Sequence, residues 1–481
     1  MENNVEHLKT WFREFCSERM DFMQSDERRT LPPHLFLELG RKGFFGLEGA
    51  VEHGGLALKP SQAIQVMETV ASVDMSVATL LSVHNFLSLK PLRQYGSESV
   101  KSTLLPDAIS GRRLAAIAVT EPNAGSDPRR IETSLVSRDN KFVLNGTKSW
   151  IGAGAWSGVL VTLARHEQGF TAVCLDSNTK GIVQGLESMT LGMRGVIQNS
   201  VHFQNVHVCQ ENLLGDVGKG AEIIQNSFRF TRISIAGCCL GMIRTALAVA
   251  ISYAKNRKVS TGLLINNSYS TSVLSEILEK SEQISQFLNA IAPMLDTEET
   301  VDEFVSLAAK IVVPEILWTA LDQCLQMLGA RGYTENNLIA RMLRDARVMR
   351  IFEGPTEALA SHLGRYYLLQ PEKIFNFLEE QFGKEKSTQA QCLLEKFHSS
   401  IKIFAQDKNF LPVFIGMATA QVIFLYFSSS DPSLAIQLEL EKIVLKTHYL
   451  STKKTTSDEL VHQIESGYLK NYVDSRKELV L

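Results

Sequence analysis

The chain has 481 residues, 44% of them hydrophobic and 21% charged. At about 100–200 residues per domain this length calls for about three or four units, and the composition excludes wholesale disorder. Lys plus Arg is 49 against 52 Asp plus Glu, a net charge of −3, which argues against a nucleic-acid binder, whose affinity comes from neutralising phosphate.

Glu2, Glu6, Glu14 and Glu18 interrupt the start of the chain. A secretory signal needs a basic start and an apolar run, and a mitochondrial transit peptide should be poor in acids. Seven Cys are scattered without a C-x-x-C pair. They read as reduced thiols in a cytoplasmic protein, with neither a disulfide framework nor a metal site.

Residues 1–115 are predicted to be helical. Leu35, Phe36 and Leu39 recur at helical spacing, as do Ile64, Met67, Val70 and Ala71. Pro32-Pro33 and Gly54-Gly55 punctuate these runs. Over 116–213 the texture changes to short β-branched runs separated by turn residues. Phe142-Val143-Leu144 stops at Asn145-Gly146, and Val159-Leu160-Val161, Thr171-Ala172-Val173 and the alternating Val201, Phe203 follow. Runs this short predict a small β domain, a barrel or a sandwich.

Residues 214–370 return to helix. Ile223 to Arg257 has no Pro, and its Gly237 and Gly241 lie four apart, a spacing that lets another helix approach closely. Further helices are predicted over 273–292, 300–327 and 337–350. The last unit, 371–481, is helical again, with 13 Lys plus Arg against 14 Asp plus Glu. Within it, Phe410 to Phe427 carries no charge, the lower edge of a membrane span. Pro412, Thr419 and Gln421 interrupt it and no polybasic cluster flanks it, so a buried helix is the favoured reading over a membrane contact.

Three segments could carry chemistry. Val119 to Pro128 ends a strand-like run in a turn dense with hydroxyls. It reads either as a β-turn with an Asx cap or as a set of donors for a polar ligand. In Lys148-Ser149-Trp150-Ile151-Gly152 the Trp is either core or a face for a flat cofactor. In Arg344 to Pro355, Glu353 follows an apolar stretch and is cut off by Gly354-Pro355. Desolvation would raise its basicity; a capping role, or a partner for Arg347 or Arg350, is the alternative. Glu121 is expected to cap the turn at 121–127, and Asp345 to pair with Arg344.

Thr120 to Asp127 resembles a signature of the acyl-CoA dehydrogenase flavoprotein family. Arg350 to Gly354 resembles its second signature, Gln326 to Tyr333 the loop before it, and His53-Gly54-Gly55-Leu56 an N-terminal loop. Their order and spacing match over residues 1–370. The resemblance implies a mainly α fold with a central β domain: a helical domain, a β-barrel-like domain and a four-helix domain. Residues 371–481 resemble the additional helical domain of the very-long-chain subgroup, where it is linked to membrane association.

The resemblance also implies a chemistry. A carboxylate takes the α proton of an acyl thioester while the β hydrogen leaves as hydride to FAD. Glu353 would be the base, in a site that stabilises the enolate. Thr120, Ser126, Trp150 and Gly354 would contact the flavin. Ser126, Thr231 and Arg232 would contact an acyl-CoA or acyl-carrier-protein thioester. Arg257, Gln326 and Gly329 would hold the rest of FAD across a subunit interface, in a homodimer or dimer of dimers, with an electron-transfer flavoprotein as acceptor.

Three positions depart from the family pattern. Gly152 stands where a hydroxyl residue is usual, Ser260-Thr261 where Phe-Gly is usual, and Pro355 where Thr is usual. They keep two further readings in view: a flavin oxidase or monooxygenase of the same fold, and a non-enzymatic scaffold with a degenerate FAD site.

Overall fold

The computed structural model describes residues 2–138, 141–297, 301–402, 409–452 and 457–465. The first helices are α1 (Glu2–Arg19), α2 (Phe22–Arg28), α3 (Pro33–Arg41), α4 (Pro60–Val73), α5 (Met75–Ser82), α6 (Lys90–Tyr95) and α7 (Glu98–Ile109). Their starts follow local chemistry. Pro33 opens α3 and Pro60 opens α4, where a missing N–H costs nothing. The Asp74 carboxylate accepts from Val77 N to cap α5.

Between α5 and α6 the helix widens into a π turn over Val83–Leu89. Asn85 accounts for it: its Nδ2 donates to Leu81 O and Phe44 O, and its Oδ1 accepts from Leu47 N. The side chain takes a helix carbonyl for itself and stitches the helix to the 44–47 loop. Pro91, which has no N–H to give the preceding turn, follows directly. Such π turns are frequent at functional sites.

The strands are β1 (Leu114–Ala118), β2 (Ser134–Arg138), β3 (Lys141–Gly152), β4 (Ser157–His166), β5 (Gly169–Asp176), β6 (Ile182–Glu187), β7 (Gln198–Val208) and β8 (Leu213–Leu214). They form one eight-stranded sheet in the order β6-β7-β3-β2-β4-β5-β8, with β1 parallel to β4. The middle of the sheet is buried on both faces. Val159, Val161 and Leu163 of β4 pack towards the helices with Leu92 and Ile223, while Leu160 and Ala164 pack with Val173, Val201 and Phe203.

The turn expected at Asn145-Gly146 is instead a bulge inside β3. The β3–β7 register shifts between Leu144 and Gly146. A Cβ at Gly146 would sit 2.4 Å from Thr133 Oγ1, so glycine is there for close approach and not for chain reversal.

The helical core follows as α8 (Gly220–Asn256), α9 (Ser268–Thr297), α10 (Glu303–Leu328), α11 (Leu338–Ala346) and α12 (Thr356–Leu369). The α4 helix crosses α8 at the two glycines. A Cβ at Gly237 would lie 2.8 Å from Ile64 Cγ2, and one at Gly241 2.1 Å from Glu68 O. The extension adds α13 (Pro371–Phe382), α14 (Lys384–Lys402), α15 (Phe410–Ser428), α16 (Ser433–Ser451) and α17 (Ser457–Glu465).

Among the described residues, three helices are long and apolar enough to cross a membrane: α8, α10 with the turn after it, and α15. In this fold each buries most of its apolar window, 72% for α15. Phe424 and Phe427 of α15 pack on Phe287 of α9, with ring centres 5.1 and 5.9 Å apart. Full burial of such a side chain contributes about 1.5–3 kcal/mol.

A buried charge cluster joins the first helices, the sheet and α11. Arg344 Nη2 donates to Asp26 Oδ2 at 2.6 Å, and Arg341 Nη1 to Asp74 Oδ2 at 2.9 Å. Asp345 pairs with neither its neighbour Arg344 nor any other cation at contact distance among the described residues. Its Oδ1 accepts from Met193 N, which ties the 189–196 loop to α11. The expected Arg344–Asp345 pair is therefore replaced by two separate attachments, because successive helix residues do not face each other.

Burial pushes the Asp345 carboxyl up to about 7. The Asp74 charge adds to this, while the Met193 N–H and Arg341 oppose it and Asp26 raises it slightly. A carboxyl raised in this way binds its proton more tightly in the folded chain than in the unfolded one. Its contribution to stability is full below the ordinary Asp range and is lost as pH rises from there through about 7. Asp345→Asn, which keeps an acceptor for Met193 N, should therefore reduce the fall in melting temperature between pH ~5 and pH ~8. An unchanged pH dependence of melting would refute this role.

Candidate active site

Glu353 lies in a short irregular stretch between α11 and α12. Three side chains from two helices fix it. Lys310 of α10 donates from Nζ to Met349 O. Glu315, also on α10, accepts from Arg350 Nε at 2.7 Å and from Thr356 Oγ1 at 3.0 Å. Arg232 of α8 donates from Nε and Nη2 to Glu353 O at 3.3 and 3.2 Å. The stretch is thus held before, at and after Glu353.

The backbone turns sharply there. Glu353 has φ of 55° and Gly354 of 103°, both in the left-handed region, which for a non-glycine residue costs about 1–3 kcal/mol. A Cβ at Gly354 would fall 2.7 Å from Leu359 Cδ2. Glycine at 354 permits the turn, and the three clamps hold Glu353 in it.

Glu353 is partly exposed as a residue, but its carboxylate is enclosed. Oε2 is buried without a hydrogen-bond partner. Among the described residues no cation lies within 4 Å of the carboxylate, since Arg350 is taken by Glu315. Neither alternative from the sequence, a cap or an Arg347 or Arg350 partner, is found. Burial pushes the Glu353 carboxyl well above the ordinary range, while Lys310 and Arg232 pull it down less strongly. An enclosed, unpaired, basic carboxylate is suited to taking a proton.

The sheet supplies a second set of groups. Thr120 and Ser126 flank the turn after β1, Thr120 half-buried and Ser126 exposed. Glu121 does not cap its own turn. Its carboxylate accepts from Lys148 Nζ at 2.7 Å, Glu132 N at 2.6 Å and Thr133 N at 3.0 Å, which pins the turn to the next strand. Burial opposes its charge, but the bonds from Lys148, Thr133 and Glu132 outweigh that and hold its carboxyl below the ordinary range. Lys148 is fully buried and burial lowers it to about 8 against the pull of Glu121.

Trp150 stands at the end of β3 with φ of 61° and 63% of its surface exposed. Burial in the core is excluded, and a large indole presented to the outside is what a flat ring would stack on. A Cβ at Gly152 would meet only Gln198 Nε2 at 3.7 Å and Val83 Cγ2 at 3.8 Å, so the space beside the strand is open. Val83 begins the π turn, and the neighbouring Ser82 Oγ lies 3.4 Å from Ser234 Oγ on α8, two residues from Arg232. The Trp150–Gly152 strand end and the Arg232 segment of α8 thus both lie beside the Ser82–Val83 segment.

Thr231 is buried and its hydroxyl donates to Ser227 O at 2.8 Å. Arg257 and Gln326 are exposed, at the ends of α8 and α10, with Gly329 just beyond. The Arg331 guanidinium lies 5.8 Å over the Tyr253 ring and brings these two ends together. At ~1.5 Å per residue, Arg257 stands roughly 37 Å along α8 from Arg232. The candidate residues therefore form two groups, one around Glu353 and Trp150, the other at the far end of the helical core.

The departures also find their places. Pro355 precedes α12, and the hydroxyl one position later, on Thr356, is tied to Glu315. Ser260 and Thr261 form the turn of a hairpin between β9 (Lys258–Val259) and β10 (Gly262–Leu263). The sequence reading overlooked Lys310, Glu315 and the Lys148–Glu121 pair. Lys310 carried a signal: it is the one charge in the run Val305 to Pro314.

The family models for the acyl-CoA dehydrogenase N-terminal, middle and C-terminal domains match residues 3–112, 116–206 and 218–368. The very long-chain specific acyl-CoA dehydrogenase, mitochondrial, of Rattus norvegicus is 30% identical over 361 residues, covering 72% of this chain and 54% of that protein. The chain thus spans about half the length of that relative. The butyryl-CoA dehydrogenase of Megasphaera elsdenii has a similar solved structure, with a TM-score of 0.73 at 26% identity, covering 76% of this chain and 99% of that one. A glutaryl-CoA dehydrogenase of Mycobacterium smegmatis, solved in complex with FADH2, shares the fold with a TM-score of 0.72 at 21% identity, covering 77% and 95%.

Proposed function

Since the chain belongs to the acyl-CoA dehydrogenase family, we propose that it is a flavoenzyme that dehydrogenates an acyl thioester, with Glu353 as the base. One observation carries the reading: the Glu353 carboxylate is enclosed, has an oxygen without a partner, and sits on a turn clamped from both sides. A structural carboxylate in such a place would be bonded.

The residues fit FAD. The exposed Trp150 indole and the open strand edge at Gly152 suit a flat ring, with Thr120 and Ser126 beside it. Bound there, FAD would accept the β hydrogen as hydride. The rest is done by this chain. Glu353 takes the α proton onto its carboxylate. Arg232 fixes the Glu353 carbonyl, and the Glu353 N–H is left to meet the developing enolate oxygen. Burial excludes water from the carboxylate and keeps it basic.

The coenzyme A or carrier-protein end of the thioester, and an electron-transfer flavoprotein as acceptor, belong to the same reading. So does the homodimer. Arg257 stands far along α8 from Arg232 and Glu353, and Gln326 and Gly329 lie at the end of α10, which favours a second copy bringing its own set to the first copy's flavin. Arg257→Ala should then lower bound FAD and weaken the dimer together, measured by flavin absorbance and by sedimentation. Normal flavin loading in this variant would show that the Arg257 end is not used. The direct test of the whole reading is whether the purified protein takes up FAD and whether that flavin bleaches under anaerobic acyl thioester; a protein that binds none would support the scaffold alternative.

A further inference from the structure

Lys310 is fully buried in α10, in a run that is otherwise apolar. Burying an ammonium group is costly unless something compensates it. Its Nζ donates to Met349 O, four residues before Glu353, and lies 5.6 Å from the centre of the Phe352 ring. Its neighbours from the Glu353 turn and α8 are Met349, Phe352, Glu353, Arg232 and Cys239.

The geometry is that of a charge held back. Lys310 is anchored to a backbone carbonyl and does not contact the Glu353 carboxylate within 4 Å. A contact pair would occupy the carboxylate and reduce its basicity. A cation at a short remove lowers the cost of ionising Glu353 in a dry site and leaves its lone pairs free.

We propose that Lys310 is a positioning residue for the reaction, fixing the Glu353 turn through Met349 and supplying the spaced positive charge that keeps the Glu353 carboxylate ionised before it takes the proton. The inference rests on Glu353 being the base.

The surrounding groups support this assignment. Facing Glu353 are Lys310 from α10 and Arg232 from α8. Facing Lys310 are Glu353, Cys239, Arg232 and Glu315. Burial pushes the Cys239 thiol up, so it carries no charge. Glu315 is bonded to Arg350 and Thr356, and Arg232 directs its donors to the Glu353 carbonyl. Lys310 and Glu353 are therefore the pair whose charges depend on each other. Burial drives them in opposite directions, the carboxyl up and the ammonium down, and each opposes the other's shift.

The test follows the ionisation of Glu353 itself. In protein labelled with 13C at the glutamate carboxyls, the Glu353 resonance is identified by its loss in Glu353→Gln. Lys310→Met should raise its titration midpoint by about one to two pH units, the size expected for losing one charge at a few ångströms in a partly screened site. Lys310→Arg should restore most of the midpoint. Circular dichroism checks that the variants are folded. A parental midpoint in folded Lys310→Met would reduce Lys310 to a structural anchor and overturn the proposal.

If Lys310→Met does not fold, 13C-labelled lysine in the parent answers the same question. The Lys310 Cε resonance should show a step at the Glu353 midpoint that disappears in Glu353→Gln; no such step would overturn the proposal. Both readouts are independent of turnover. Glu353→Gln that reduces its flavin at the parental rate would refute Glu353 as base, while a parental midpoint in Lys310→Met beside an inactive Glu353→Gln would refute Lys310 alone.

Discussion

Glu353→Gln should retain FAD and bind acyl thioester, while flavin bleaching under anaerobic substrate falls by about 10²–10⁴, the range for removing a general base. Gln has the shape and reach of Glu but does not take a proton at neutral pH. The clamps on the turn are all made to the backbone of Glu353 or to its neighbours, Met349, Arg350 and Thr356. None uses the Glu353 carboxylate, so the turn should survive the change. The change relieves the desolvation of the carboxylate but leaves buried Lys310 without that counter-charge, so circular dichroism checks that the variant is folded.

Among the described residues no neighbouring acid is placed to substitute. Glu315 is bonded to Arg350 and Thr356, Glu357 is exposed, and Glu121 is bonded three times inside the sheet. Thr231 donates its hydroxyl to Ser227 O. A variant that reduces its flavin as fast as the parent would show that another group is the base, or that the chain does not run this reaction.

The sequence made Glu353 visible because chemistry and punctuation coincide there: an acid after an apolar run, before Gly354-Pro355. The surrounding clamps were not visible. Lys310 and Glu315 lie some forty residues away and meet the turn only because α10 packs beside it. The α–β–α–α order was legible from periodicity, and so was the close approach at Gly237 and Gly241, since small residues at helical spacing have few other uses. Asn145-Gly146 was misread because a bulge and a hairpin use the same residues. What separates them is the register against β7, set by residues more than fifty positions away. Glu121 was misread for a related reason: its partners, Glu132, Thr133 and Lys148, come from later segments.

The extension shows the same limit, and its attachment leaves no room for a larger residue. The charge-free run predicts a buried helix but not the surface that buries it. That surface is α12 together with α9 and α10, and α12 and α15 meet glycine to backbone. A Cβ at Gly416 would lie 1.7 Å from Ala360 O, and one at Gly364 1.8 Å from Pro412 O. Both distances are far inside contact, and the obstructing atoms belong to helix backbones, so no rotamer change relieves them.

Gly416→Ala should therefore force α15 away from α12 and cost more than the ~1–3 kcal/mol usual for overpacking. Gly416→Val should cost still more. The contacts are adjacent, so Gly364→Ala combined with Gly416→Ala should cost less than the sum of the two. Once separated from α12, α15 loses its hold on Phe287, and its apolar surface is exposed along a helix without a charge. Limited proteolysis should then cut within 371–481 before it cuts the rest, and the variant should bind neutral liposomes that the parent ignores, since only the released helix offers a membrane-length apolar face. The parental urea midpoint and protease pattern in Gly416→Ala would mean that the α12–α15 crossing does not hold the extension in place.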